Sequence, residues 1–361
     1  MAGGAVALPQ AAPTPIGGLQ RDRCGFGEAF TAMMVTSTWV AGHGWDEPVL
    51  SPRAPLSIDP AMVGLHYGQV VFEGLKAYRR PDGRMCVFRP DAYARRMQAS
   101  ARRFMMPEPP AELFVSAVRQ LARADESWLP TDPDLSLYLR PILFATEPCL
   151  ALRPSTSYLF LVLAFVTGGF FSDAPDPISV RIEENHVRAA PGGTGAAKCA
   201  GNYAPTYPAQ ANAVKEDCHQ VVWLDARERA WVEEMSGMNL FFVHGAGLAP
   251  VITTPPLDGT ILPGVTRDAI IELASADGQR VKEAPMSVAG WRDGCAVGDI
   301  TEVFACGTAA GVTPVGAVVT SAASWVVGEG KAGPVTLRLR DRLWKAQRGL
   351  VPDTFGWLVP A

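Results

Sequence analysis

Apolar residues recur at helical spacing over residues 91–106 and again over 110–124, which predicts two amphipathic helices in the first half of the chain. The surrounding pattern is that of strands. Residues 32–40, 71–78, 85–88, 135–144 and 158–166 are rich in β-branched and aromatic side chains, and Arg79-Arg80-Pro81-Asp82-Gly83-Arg84 reads as a hairpin turn. The segment 167–177, with Gly168, Gly169, Pro175 and Pro177, has the turn chemistry of a connection between domains. Beyond it, strand patterns at 178–183, 220–224, 230–234 and 239–244 alternate with a helix at about 205–215. A turn at 262 opens another helix, with Thr266 as its N-cap ahead of Arg267 and Asp268. Strands mixed with helices predict two α/β or α+β domains: a smaller one over 26–167, a connection over 168–177, and a larger one over 178–361, preceded by a loose Ala-, Gly- and Pro-rich arm over 1–25.

The length changes this picture little, since 361 residues exceed what one hydrophobic core usually supports. A hydrophobic fraction of 48% with 19% charged residues excludes a disordered chain. The net charge of -4 and the lack of a long basic run point away from nucleic acid and from anionic membranes, which leaves small molecules as the expected partners. The start lacks the charged head and apolar run of a signal peptide, and the most apolar run, 158–171, is too short to span a bilayer, so a cytoplasmic protein is expected. Seven cysteines stand singly, without a C-x-x-C pair or closely spaced histidines, so neither a disulfide framework nor a metal site is expected.

The densest chemistry lies in Ala190-Pro191-Gly192-Gly193-Thr194-Gly195-Ala196-Ala197-Lys198-Cys199-Ala200-Gly201-Asn202-Tyr203. A nucleotide-phosphate loop needs Gly before its lysine and Ser or Thr after it, whereas Ala197 and Cys199 stand there. A lysine on a turn of small residues can instead be approached by a flat cofactor and lose its solvation. Burial favours the neutral amine, which can form an imine with an aldehyde. A surface lysine beside a glycine loop is the alternative that these residues alone leave open.

The run Gly192 to Tyr203 resembles the catalytic-lysine segment of the branched-chain amino-acid aminotransferases, members of fold type IV of the pyridoxal-phosphate enzymes. Five further segments match the same family in the same order: Leu65-His66-Tyr67-Gly68-Gln69-Val70-Val71-Phe72-Glu73-Gly74-Leu75-Lys76-Ala77-Tyr78, Leu137-Tyr138-Leu139-Arg140-Pro141, Glu234-Met235-Ser236-Gly237-Met238-Asn239, Leu262-Pro263-Gly264-Val265-Thr266-Arg267 and Gly307-Thr308-Ala309. The resemblance runs from about Phe26 to Trp357. It implies the two-domain type IV fold, pyridoxal 5'-phosphate as cofactor, a homodimer, and amino transfer between leucine, isoleucine or valine and 2-oxoglutarate.

Residue by residue, the resemblance implies that Lys198 carries the cofactor and shuttles the proton, that Glu234 pairs with the ring nitrogen, and that Tyr203 bonds the ring oxygen. Arg96, Val265, Thr266 and Thr308 match the phosphate ligands, where a helix start suits a dianion. Thr308 and Ala309, with Tyr138, match the group that receives the substrate α-carboxylate. Tyr67, Phe72 and Phe170 match the apolar walls, and Arg140 the reader of a second carboxylate. Strand alternation sends Glu233, beside Glu234, to the opposite face. Three departures stand out: Phe170 replaces a common tyrosine, Phe30-Thr31-Ala32-Met33-Met34 lacks a common Asp-His pair, and Ala310-Gly311-Val312-Thr313 lacks the C-x-x-C of some relatives. These suit a specialist for an unusual aliphatic or β-substituted amino acid. A D-amino-acid aminotransferase, an aminodeoxychorismate lyase or a non-catalytic protein of the same fold are the other readings.

Overall fold

Strand patterns in the first half fold onto one antiparallel sheet. The computed structural model describes residues 26–129, 131–168, 176–245 and 250–361, so the expected arm, most of the expected connection and Phe170 lie outside the described residues. The first-half elements are β1 (Met33–Val40), β2 (Gly44–Trp45), β3 (Val49–Pro52), α1 (Val63–Tyr67), β4 (Val70–Phe72), β5 (Leu75–Arg79), β6 (Met85–Phe88), α2 (Pro90–Arg103), α3 (Ala111–Ala124), β7 (Ser136–Ala145) and β8 (Ser157–Thr167). The second half contributes β9 (Ile178–Glu183), α4 (Tyr207–Lys215), β10 (Gln220–Leu224), β11 (Val232–Met235), β12 (Asn239–His244), β13 (Val251–Thr254), α5 (Val265–Ala276) and β14 (Arg280–Glu283). After these come α6 (Val288–Ala296), β15 (Ile300–Gly307), β16 (Gly311–Val319), β17 (Ser324–Val326), α7 (Pro334–Arg348) and β18 (Leu358–Pro360).

The first sheet runs β18-β6-β5-β7-β8-β1-β2, with β3 on β1 and β4 on β7. Helix α3 buries Phe114, Ala117, Val118, Leu121 and Ala122, one stripe at helical spacing, in the same core as Leu137 and Phe160 of the sheet. Burying side chains as large as Phe114 and Leu121 stabilises by about 1.5–3 kcal/mol each. Strand β18 comes from the far end of the chain and pairs with β6, so this sheet is not built from the first half alone.

The stretch 71–78, expected as one strand, is divided between β4 and β5 at Glu73 and Gly74. Glu73 turns its carboxylate inward onto Arg96, and a Cβ at Gly74 would stand 1.8 Å from the Tyr138 hydroxyl. The backbone breaks there because a buried charge and a tyrosine need the space.

The second sheet is mixed, in the order β11-β10-β9-β16-β15-β12-β13-β14 with β17 on β16. Its interior strand β12 shows why the apolar run 239–244 does not alternate with polar residues. Leu240 and Phe242 enter one core with Trp291 of α6, while Phe241 and Val243 enter another with Ile270 of α5 and Leu339 of α7. That second core also contains Tyr78, Phe88 and Trp357 and so joins the two sheets. The architecture is the mixed α/β one expected. Helix α5 starts at Val265 with Gly264 as N-cap, not at the expected Thr266, because a Cβ at position 264 would stand 2.0 Å from the Asn239 side-chain oxygen, and only glycine fits that close turn.

Candidate active site

The lysine loop is held in place by its own small residues and one asparagine. Gly195 passes so near the next turn that a Cβ would stand 2.1 Å from the Thr260 carbonyl oxygen, which requires glycine. The buried Asn202 amide donates to the carbonyls of Thr194 (2.8 Å) and Ala197 (2.9 Å) and accepts from the Thr194 hydroxyl at 2.6 Å. Lys198 is then fixed against the first sheet, its N-H donating to Ser100 Oγ at 2.9 Å and its carbonyl accepting from Phe72 N at 3.0 Å.

Beyond this anchor the Lys198 side chain enters a cavity of about 350 Å³. Its Nζ donates to the Tyr203 hydroxyl at 2.8 Å and lies 4.8 Å from the centre of the Phe72 ring. The expected residues Phe72, Arg96, Tyr138, Arg140, Lys198, Tyr203, Val265, Thr266, Thr308 and Ala309 all line this cavity. A smaller adjoining hollow of about 150 Å³ shares Tyr203, Ser236, Gly237 and Leu262 with it and reaches Glu234.

Tyr67 does not line the cavity. Its side chain is half exposed, and its hydroxyl donates to the Leu150 carbonyl at 2.8 Å. Phe170, the other expected wall, lies outside the described residues.

At one end of the cavity the chemistry is anionic. Glu234 is fully buried on β11, its Oε2 accepting from Leu262 N at 3.0 Å. Its Oε1 stands 2.8 Å from Arg188 Nε, whose N-H points off the oxygen, so the contact is an ion pair more than a hydrogen bond. Burial raises the Glu234 carboxyl above its ordinary range, and the charges of Arg188 and Lys198 work against that rise.

At the other end the chemistry suits an anion. The uncapped start of α5 at Val265 and Thr266 borders the cavity. Arg96 reaches it from α2 while two of its nitrogens grip Glu73 at 2.8 and 2.7 Å. Thr308, in the turn joining β15 to β16, shares a hydrogen bond of 2.8 Å with the buried Tyr93.

Several of these groups escape sequence reasoning. Arg188, Tyr93, Ser100 and Asn202 act by distance in space, and no spacing in the chain marks them. Glu73 and Lys76 sit inside a segment with a family resemblance yet show no role there. Lys76 is buried and donates to the Ala309 carbonyl at 3.1 Å; burial, with the charge of Arg348 adding to it, lowers its amine to about 7.

Arg140 closes the cavity. Its guanidinium lies 4.9 Å from the Phe72 ring centre and 5.5 Å from that of Tyr138, and its buried Nε has no hydrogen-bond partner among the described residues. The whole arrangement is an amine, a buried carboxylate, an anion cradle and a spare guanidinium around one partly apolar space.

Residues 70–318 match the family model for class IV amino-transferases. The chain is 48% identical over 336 residues to the branched-chain-amino-acid aminotransferase of Mycolicibacterium smegmatis, covering 93% of this chain and 91% of that protein. A probable branched-chain-amino-acid aminotransferase of Streptomyces coelicolor is 50% identical, covering 92% and 91%. Among solved structures, the Escherichia coli branched-chain amino acid aminotransferase superposes with a TM-score of 0.73 at 29% identity, over 89% of this chain and 98% of that one. A second branched-chain amino acid aminotransferase, complexed with N-(5'-phosphopyridoxyl)-L-glutamate, gives 0.73 at 28% identity, over 90% and 98%. Family model, relatives and fold agree with the site's own chemistry, and the chain belongs to the class IV amino-transferases, among the branched-chain amino-acid aminotransferases.

Proposed function

We propose that this enzyme moves the amino group of leucine, isoleucine or valine to 2-oxoglutarate with pyridoxal 5'-phosphate held in the Lys198 cavity. The observation that carries the two-substrate reading is Arg140, a half-buried guanidinium with an unpartnered Nε in an otherwise apolar wall. A branched aliphatic side chain lies against Phe72 and Tyr138 and needs no charge. The second carboxylate of glutamate does need one, since a carboxylate left unpaired in such a space is costly.

The residues present fit the cofactor at each of its polar groups. The uncapped start of α5, Arg96 and Thr308 suit the phosphate, the Tyr203 hydroxyl the ring oxygen, and Glu234 a protonated ring nitrogen. When bound, the cofactor supplies an aldehyde for the amine and a cationic ring that withdraws electrons from the substrate α-carbon. The Lys198 amine, positioned by Tyr203, would serve as the base that takes the proton from that carbon. Glu234 would face the ring nitrogen and favour its protonated form, and the charge of Arg188 works against the effect of burial on Glu234. The turn at Thr308 and Ala309, tied down from behind by Lys76, receives the α-carboxylate with help from Tyr138.

A homodimer in the cytoplasm completes this reading. Leu65, Tyr67, Leu150 and Leu152 expose apolar surface on two segments joined by the Tyr67 to Leu150 bond, and Leu152 is 89% exposed. The described cysteines are free thiols, which suits a reducing compartment. No helix among the described residues is long and apolar enough to cross a membrane.

Replacing Leu152 with Glu should shift the sedimenting species from dimer to monomer; an unchanged dimer would place the interface elsewhere. Glu234→Gln should keep the cofactor and lose on the order of 10²-fold in turnover, as removal of a strong electrostatic stabiliser does. Glu233→Gln should stay within about twofold of the parent, because its side chain lies on the face of β11 away from the cavity. Steady-state kinetics of the two variants decide the matter, and a reversed order would refute the assignment. In separate half-reactions Arg140→Gln should cost roughly 10- to 100-fold in kcat/KM for glutamate and little for leucine, as loss of one charge-assisted contact predicts. Equal losses would show that Arg140 supports the architecture and does not read the second carboxylate.

A further inference from the structure

Helix α2 turns one face toward the site. Tyr93, Arg96, Ser100 and Arg103 follow one another at helical spacing, so they form a single stripe along it. Arg96 borders the cavity, Ser100 accepts the Lys198 N-H, and Arg103 donates to the carbonyls of Gly192 at 3.0 Å and Gly193 at 3.2 Å. Tyr93 opens the stripe, is buried, and does not line the cavity itself.

The Tyr93 phenol meets Thr308 from behind. The two hydroxyl oxygens stand 2.8 Å apart, and Thr308 is the phenol's one hydrogen-bond partner among the described residues. The ring of the same tyrosine lies against the Arg96 guanidinium, whose carbon is 5.3 Å from the ring centre. One buried side chain thus touches both a cation and a hydroxyl expected to hold the phosphate, although helix α2 carries the first and the turn between β15 and β16 the second.

Counting protons decides the direction of the bond between the hydroxyls. Each has one proton to donate. A phosphate ester dianion offers acceptors only, so a Thr308 hydroxyl bonded to it donates there, and the Thr308 oxygen is left to accept from Tyr93. Burial pushes the Tyr93 phenol up to about 12; Arg96 and the Thr308 bond oppose the rise, and Glu73 and Tyr138 add to it. The phenol therefore keeps the proton that this direction needs.

We propose that Tyr93 is a positioning residue for the cofactor phosphate, its phenol donating to Thr308 Oγ1 and so turning the Thr308 proton into the cavity. This rests on the reading that Thr308 holds that phosphate. Two hydroxyls in line, ending on an anion, polarise one another and strengthen the outer bond. Without the phenol the Thr308 hydroxyl has nothing behind it to fix its rotation.

The test strips the full-length enzyme of cofactor and titrates it with pyridoxal 5'-phosphate and, separately, with pyridoxal, which has the same ring and aldehyde and no phosphate. Tyr93→Phe, which keeps the ring against Arg96, should weaken pyridoxal 5'-phosphate about three- to tenfold and leave pyridoxal within about twofold. Thr308→Val should weaken pyridoxal 5'-phosphate about tenfold or more. Adding Tyr93→Phe to Thr308→Val should cost nothing further, because the phenol acts only through the threonine hydroxyl. An unchanged affinity for pyridoxal 5'-phosphate in Tyr93→Phe overturns the proposal. So does an equal loss for both ligands, which marks a merely structural role, and so do additive losses in the double variant. An effect of Thr308→Val with none of Tyr93→Phe removes this proposal alone, whereas no effect of Thr308→Val removes the phosphate role of Thr308 and the proposal with it. Tyr93→Met, which also lacks the hydroxyl, replaces Tyr93→Phe should that variant fail to fold.

Discussion

One guanidinium ties the catalytic half of the cavity together. The Arg188 side chain is almost wholly buried, stands 2.8 Å from Glu234, and donates to the carbonyls of Gly195 and Thr260. The lysine loop, strand β11 and the turn before α5 therefore share one anchor. Burial drives the Glu234 carboxyl toward its neutral form, and the charge of Arg188 opposes that drive. A buried pair of this kind adds little net stability, because desolvation offsets attraction, yet removing one partner strands the other. Its value here lies in placing a negative charge beside an amine at a fixed distance from a loop that cannot drift.

A second buried pair sets the opposite end. Glu73 and Arg96 meet through two hydrogen bonds, which aligns the guanidinium before any anion arrives. The same carboxylate breaks the first sheet between β4 and β5 and brings Phe72 over the lysine. Charge placement and backbone geometry are thus one problem with one solution. Between these two fixed ends the described wall is partly apolar, and Arg140 brings to it, beside Phe72 and Tyr138, a guanidinium whose Nε has no partner among the described residues. The proposed discrimination between an aliphatic and an acidic side chain rests on that guanidinium.

The sequence shows those parts of the fold whose pattern is local. Helix α3 is legible from its apolar stripe, and β9 and β10 from their β-rich runs, because each obeys the period of its own element. The division of β4 from β5 is not legible, since it follows from Arg96 and Tyr138, which are distant in the chain. The N-cap of α5 lies two residues before the expected one for a similar reason: Asn239 fills the space that selects Gly264. Lys198, Tyr203 and the residues expected to hold a phosphate can be named through family resemblance, and the fold brings them to one cavity. Arg188 and Tyr93 cannot, as each gains its role only when strands far apart in sequence meet. Tyr67, named for the apolar walls, lies outside the cavity of its own chain, its hydroxyl on the Leu150 carbonyl.

Two lysines approach this cavity, and they separate the central claim from its nearest rival. Lys198 points into the space beside Tyr203, whereas Lys76 lies behind the Ala309 turn with an amine lowered to about 7. Borohydride reduction of the cofactor-loaded protein, followed by peptide mass mapping, reports which amine holds the aldehyde carbon. The account predicts a phosphopyridoxyl mass on the peptide containing Lys198 and none on that containing Lys76. A label on Lys76, or on neither, would contradict it.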